Sequence, residues 1–387
     1  MIECSSHRLW ITRQILWITL RLRGTDLWTT TSLRVGTVTP CHVMSRTPLP
    51  RPTLLPGLPR IWRSPHTLQL GLDPARAVLL DLPDPRAAGL LDLLDGSRPE
   101  RLALARAGAL GLRPDEASAL LDTLHAAGLV VPAPSLFPPA MPARLTAEAA
   151  ALAFAGRDAA PARTLRRRAA ARVVVSGPSR LAAGVAVALA EAGTGHIHPD
   201  LTGSVTRHET PGGPLTDADI GNPRAEAVAA AIHRSAPHTQ TRPVRRGAAS
   251  LVIRLGHDHP AAAPPVSSAH RNRPHLTAMI REGSVVVGPL ILPASSPCPN
   301  CISLHRADRD AGWPRTAPAP VRAALEPCGV ATLLAAVAYL TSEALACLDE
   351  ETPETLGAEV VITAPGHTRR RTWLPHPACG CTRRAHR

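Results

Sequence analysis

Cys298-Pro-Asn-Cys301 and Cys379-Gly-Cys381 are the residues whose type and spacing most directly suggest chemistry. Two thiolates two residues apart fit a tight loop that offers both sulfurs to one tetrahedral ion, and a second close pair completes a four-cysteine set. The pattern predicts a structural Zn2+ on Cys298, Cys301, Cys379 and Cys381. With every position filled by protein such an ion has no room for a reactive water, and its work is to tie the C-terminal tail to the loop near residue 300. His376, three residues before Cys379, is a further candidate ligand, and a redox dithiol or four free thiols is the alternative. Cys347, in the apolar run ALACL, reads as a core residue. Cys328, ahead of Gly329 at a helix start, is a weak nucleophile candidate whose pKa a helix dipole would lower.

The second chemical candidate is the segment ARVVVSGPSRLAAGVAVALAEAGTGHIHPD. A buried strand at Val173 to Val175 leads through Gly177 into an apolar-periodic helix ending at Gly193, and a second strand ends near Asp200, a βαβ unit of nucleotide-binding type. The turn itself, GPSRLA, is a poor phosphate cradle. Glycines belong where backbone approaches a pyrophosphate, and Pro178 deletes an amide donor.

Composition narrows the classes. All 43 basic residues are arginine, so Schiff-base chemistry, a lysine general base and a P-loop lysine are excluded. The net charge of +13 fits nucleic acid, an acidic peptide or anionic lipid, and equally fits the arginine, alanine and proline bias of a GC-rich coding sequence. No window offers eighteen uninterrupted apolar residues, which predicts no membrane span, and the arginines scattered through the first residues do not form a signal peptide. The expected compartment is the reducing cytoplasm, where cysteine clusters more often mean metal than disulfide.

The elements that must position these residues follow from length and pattern. At ~100–200 residues per domain, 387 residues predict two or three domains. Residues 1–43 hold no alanine, eight threonines and three of the six tryptophans, which marks them as upstream sequence or a disordered tail with Met44 as the natural start. Residues 1–59 therefore read as extension plus Pro-rich lead-in. Residues 60–132 read as a small winged-helix domain: a hairpin from Trp62–Leu72 and Ala77–Leu82, helices at Pro85–Leu94, Arg98–Leu110 and Pro114–Ala127, each stopped by a glycine, and a short closing strand at 129–131. Residues 133–170 read as linker and helix, with Arg166–Arg168 a solvated helix end or junction face. Residues 171–387 read as an α/β domain with strands at Leu251–Leu255, Thr277–Ile280 and Ser284–Leu292, a long helix at Gly329–Leu348, a strand at Glu359–Thr363 and the cysteine tail.

Two resemblances sharpen this. Leu94-Asp95-Gly96 with LLDTLHAAGLV resembles the PqqD-like peptide-recognition domains of ribosomal-peptide biosynthesis, over roughly residues 60–132. That resemblance implies a leader peptide added as a strand at the hairpin edge, at Thr67, Leu68, Gln69 and Leu70. A DNA-binding winged helix is the alternative, and Asp115, Glu116 and Asp122 give its third helix a poor charge for a major groove.

Residues 171–381 resemble the ThiF family of ubiquitin-activating-enzyme-like adenylyltransferases, through the βαβ segment, Asp219-Ile220-Gly221-Asn222-Pro223-Arg224, the cysteine pairs and the GVATLLAAVAYLTSEAL helix. PHLTAMIREGSVVVGPLILP, CPNCISLHRADRDAGWP and HPACGC resemble the branch found with thiazole/oxazole-modified peptides. The resemblance implies ATP and Mg2+ near Gly177, Arg180, Asp200, Arg224 and Asp258. Here, though, the glycine loop is broken, arginine stands at the lysine position, 224, and only Asp258 stands where the metal-binding acid belongs. A degenerate ThiF-like Rossmann-type domain with structural zinc, preceded by a winged-helix domain, is thus the expected α/β architecture. The expected role is a leader-peptide-binding partner of a YcaO-type cyclodehydratase, without adenylation of its own, and the family resemblance implies a homodimer. The alternatives are an active adenylyltransferase that activates a peptide or small-protein C-terminus, and a DNA-binding regulator.

Overall fold

The computed structural model describes residues 47–73, 77–155, 161–244, 248–256, 273–293, 296–310 and 325–379. Asp258, Cys381 and the segment 1–43 lie outside these residues. The chain divides into two compact units, one through Arg163 and one from Thr164.

In the first unit, β1 (Pro52–Leu54) pairs antiparallel with β5 (Val130–Pro132), and β2 (Arg60–Ser64), β3 (Thr67–Leu70) and β4 (Val78–Asp81) form an antiparallel sheet in that order. Three helices lie between the sheets in sequence: α1 (Leu90–Leu93), α2 (Glu100–Ala107) and α3 (Pro114–Ala126). Their glycine stops are real. Gly96, Gly111 and Gly128 all have positive φ, the left-handed conformation that ends a helix cheaply only at glycine. Leu68, Leu70, Leu80, Leu90, Leu120, Leu121 and Leu124 are buried together, joined by Leu49 and Leu54 from the Pro-rich lead-in. The lead-in thus contributes a strand and core side chains, and the run expected to be one arm of a hairpin folds back on itself as β2 and β3. Two short helices, α4 (Ala133–Leu136) and α5 (Thr146–Ala155), follow β5.

The second unit is entered through α6 (Pro161–Ala170), which spans the division at Arg163. Its sheet has seven strands: β6 (Arg172–Ser176), β7 (His196–Asp200), β8 (Leu251–Leu255), β9 (His275–Arg281), β10 (Ser284–Ile291), β11 (Ala358–Ala364) and β12 (His367–Thr372), in the order β12-β11-β10-β9-β8-β6-β7. β6 is parallel to β7 and β8, and β8 to β9; from β9 through β12 neighbouring strands pair antiparallel. Between strands run α7 (Leu181–Glu191), α8 (Arg224–Ser235), α9 (Pro299–Arg309) and α10 (Val330–Leu348). The core gathers Val173, Val175, Leu181, Val185, Leu189, Ile253, Leu255 and Val287 around the α10 side chains Leu333, Ala336, Leu340 and Ala344. Among the described residues α10 is the one helix long and apolar enough to cross a membrane. Its apolar face belongs to this core, and its buried Glu343 accepts the Thr355 N–H at 2.7 Å.

Of the run Arg166–Arg168, expected as a solvated helix end or junction face, Arg168 is not solvated and Arg167 is only partly so. Arg168, 3% exposed, donates to both oxygens of Asp349 just past α10, and Arg167 pairs with Glu350. The negative end of the α10 dipole favours cations at this place.

Candidate functional site

Cys298 stands at the N-cap position of α9, Pro299 begins the helix and Cys301 lies within its first turn, so that the helix start brings the two sulfurs together. Cys379 arrives from the tail, fixed by its own N–H donating to the His376 carbonyl at 2.9 Å. Its sulfur lies 3.5 Å from that of Cys298, and Cys298 and Cys301 are 3.8 Å apart. A tetrahedral ion with metal–sulfur bonds of about 2.3 Å sets its sulfurs about 3.8 Å apart, so these three thiols have the spacing of a metal-binding set. Cys301 and Cys379 are buried, and Asn300 Nδ2 donates to the Cys379 sulfur at 3.2 Å, the kind of outer contact that orients a ligand.

His376 does not join them. Its Nδ1 accepts the Ala378 N–H at 3.1 Å and its Nε2 faces Asp308 Oδ2 at 2.8 Å, so both ring nitrogens are committed and the neutral ring carries its proton on Nε2. His305, Asp308 and His376 form a second cluster of metal-ligating types beside α9. The same tautomer gives Asp308 a hydrogen bond and leaves Nε2 no lone pair for an ion.

The second candidate region is the turn between β6 and α7. Gly177 has φ +106°, and a Cβ there would lie 1.9 Å from the Leu255 carbonyl oxygen. The missing side chain makes room for the end of β8, not for a phosphate. The N–H groups of the first turn are all used internally: Ser179 to the Gly177 carbonyl at 3.1 Å, Leu181 to Ser179 Oγ at 3.3 Å, Ala182 to the Ser179 carbonyl at 3.1 Å, and Arg180 to the Glu326 carboxylate at 2.7 Å. Ser179 Oγ donates to the same Glu326 oxygen at 3.0 Å. The Arg180 guanidinium is turned onto backbone, donating to the carbonyls of Glu326 at 3.2 Å, Cys328 at 3.3 Å and Pro211 at 3.4 Å. Burial pushes the Glu326 carboxyl above its usual range, against the opposing effect of Arg180 and Ser179. Burial likewise raises the Cys328 thiol, with Arg180 opposing, so the activation that a helix start would give is not realised. Cys347 is pushed up to about 11 by burial, as befits a core thiol.

Arg224 opens α8 and is consumed there. Its fork meets Glu209 at 2.8 and 3.0 Å and also donates to the carbonyls of Thr202 and Ser204. Asp200 is exposed at the end of β7. The five residues expected near a nucleotide are therefore distributed as one packing glycine, two engaged arginines, one exposed acid and Asp258, which is outside the described residues. Glu209 and Glu326 stand out by neither type nor spacing as site residues in the sequence. The capping pattern Thr206-x-x-Glu209 was there to be read, but nothing in the chain pairs Glu326 with a turn 146 residues earlier.

Thr67–Leu70 is not a free edge. β3 is the middle strand, bonded to β2 and β4 on either side, because the preceding turn brings Arg60–Ser64 back as a third strand. Leu68 and Leu70 are core, Thr67 Oγ1 donates to Asp81 at 3.1 Å, and Gln69 accepts from Arg63 and donates to the Gly71 carbonyl. The outer strands of this sheet are β2, which carries the exposed side chains of Ile61 and Trp62, and β4.

No protein-family model and no curated protein sequence matches the chain. Solved structures do. Escherichia coli MccB with ATP aligns at a TM-score of 0.55 and 14% identity, over 85% of this chain and 99% of its own. The microcin C7 biosynthetic enzyme MccB in complex with N-formylated MccA aligns at 0.53 and 14%, over 86% and 99%. PaaA aligns at 0.55 and 15%, over 81% and 98%. Across nearly the full length of those proteins, this chain has the fold of MccB.

Proposed function

We propose that this protein is a ThiF-like, leader-peptide-binding partner of a YcaO-type cyclodehydratase in the biosynthesis of azole-modified ribosomal peptides, and that it does not itself adenylate. The observation that carries the second half is Arg224: the cation at the position where the resembling family places a lysine on ATP is spent on Glu209 and two carbonyls. Withdrawing one charge contact from a transition state costs ~3 kcal/mol, and the broken turn at Gly177 removes others. The likeness to MccB, solved with the peptide MccA, supports a precursor peptide as the ligand.

In this reading the peptide adds as a strand to an outer edge of the three-stranded sheet, at β2 or β4, and Cys298, Cys301, Cys379 and Cys381 hold a structural Zn2+. The protein acts in the cytoplasm, as a homodimer, without nucleic acid. A second reading, an adenylyltransferase that activates a peptide C-terminus with Mg2+ and ATP, is favoured by MccB having been solved with ATP. Two measurements on the full chain separate them. Fluorescence anisotropy with labelled leader peptides from neighbouring open reading frames should show saturable binding, weakened by proline at Ile61 or Leu79. Peptide-dependent exchange of labelled pyrophosphate into ATP should be absent, and its presence would establish the second reading instead.

A further inference from the structure

The first turn of α7 has one donor that its own neighbourhood cannot satisfy. The amides of Ser179, Leu181 and Ala182 find acceptors within three residues, whereas the Arg180 amide relies on Glu326, 146 residues away. The same carboxylate oxygen takes the hydroxyl of Ser179, which is 4% exposed. Around it the Arg180 side chain is held by three backbone carbonyls, and its buried Nε has no hydrogen-bond partner among the described residues. A helix N-terminus with a free amide, a buried hydroxyl and a guanidinium is the ordinary donor set for an anion such as phosphate. In this chain the anion is covalently part of the protein.

We infer that Glu326 is a built-in anion that fills the α7 N-terminus and excludes phosphate groups from it. The arrangement deepens the non-adenylating reading above and rests on it. An internal carboxylate is present at a fixed high effective concentration, so a free phosphate must displace it before gaining a hydrogen bond. Burial works against that carboxylate, since it lifts the group's pKa, and the contacts with Arg180 and Ser179 work in its favour. Removing the side chain should therefore open the Arg180 amide and the Ser179 hydroxyl to an external anion.

The test uses the full-length protein, inorganic pyrophosphate as probe, and the variants Glu326→Ala and Glu326→Gln, with calorimetric titration and thermal unfolding as readouts. The wild type should show no pyrophosphate-dependent rise in Tm. Glu326→Ala should bind pyrophosphate at least tenfold more tightly than wild type and gain stability with it, and Glu326→Gln, which keeps the shape and loses the charge, should fall between them. If the alanine variant does not fold, the isosteric glutamine variant decides. Wild type responding as strongly as the variants, or folded variants gaining nothing, would overturn the inference. Peptide anisotropy reports on the functional proposal alone, and this titration reports on Glu326 alone.

Discussion

Arg224 and Glu209 form a two-point ion pair, Nε to Oε2 at 2.8 Å and Nη2 to Oε1 at 3.0 Å, with side chains only 13% and 9% exposed. Thr206 closes the arrangement by donating its N–H and hydroxyl to the same carboxylate, so the start of α8 is locked to the loop after β7. Breaking a buried pair from one side strands the other charge, at a cost of ~3–5 kcal/mol. Arg224→Ala should lower the urea midpoint accordingly, Arg224→Lys should lose less because only the fork is lost, and the double variant with Glu209→Ala should lose less than the two singles together. An unchanged midpoint in Arg224→Ala would remove the pair from the stability account.

The same pair sets a pH dependence. Burial raises the Glu209 carboxyl, but the hydrogen bonds from Arg224 and Thr206 outweigh it and hold the group below the ordinary glutamate value of 4.5. A depressed folded-state pKa means that the unfolded chain takes up its proton first. The contribution is fully present above 4.5 and is lost as pH falls through the folded value. Thermal unfolding between pH 6 and the acid limit should show Glu209→Gln with a flatter decline than wild type below about pH 4.5. Equal slopes would sink the assignment.

Metal content tests the sulfur cluster. Purified protein should carry one zinc per chain by elemental analysis, and Cys379→Ser or Cys301→Ser should lose it together with several degrees of Tm. Cys347→Ser, altering a core thiol away from the cluster, should keep the metal. Zinc retained in Cys379→Ser would show that the three-sulfur spacing is not what binds it.

Gly177→Ala should be far more damaging than alanine elsewhere in the turn. A left-handed backbone costs a non-glycine residue ~1–3 kcal/mol, and the added Cβ would also meet the Leu255 carbonyl at 1.9 Å. Soluble yield and the denaturation midpoint should both fall. A wild-type midpoint would mean that β8 can move away at little cost.

Much of the α/β framework is legible because its signals are local. Val173–Val175 is a continuous apolar run, Leu251–Leu255 is apolar but for Arg254, Ser284–Leu292 carries Val285–Val287 and Leu290–Leu292 at strand length, and Gly329–Leu348 has helical length and periodicity. What escapes is everything decided by partners. β12, HTRRRT, has no alternation because it is an exposed edge, so its strand character comes from pairing with β11. Arg168 looks like surface charge until Asp349 is beside it. The three-stranded sheet hides in a sequence that reads as a hairpin because the turn at Pro65-His66 carries no glycine to announce it. At the candidate sites the cysteine spacing points directly to the cluster, while the fates of Arg180 and Arg224 depend on acids 146 and 15 residues away.

The bonds from α6 to Asp349 and Glu350 determine where the chain can be divided. An expression fragment beginning at Ala171, the boundary that strand prediction suggests, would discard Arg167 and Arg168 and leave Asp349, 7% exposed, as an uncompensated charge under the sheet's entry point. A fragment beginning at Pro161 would keep the clamp. The last two turns of a helix that looks like linker are therefore the true first element of the C-terminal unit, and any attempt to study the two halves separately should cut ahead of them.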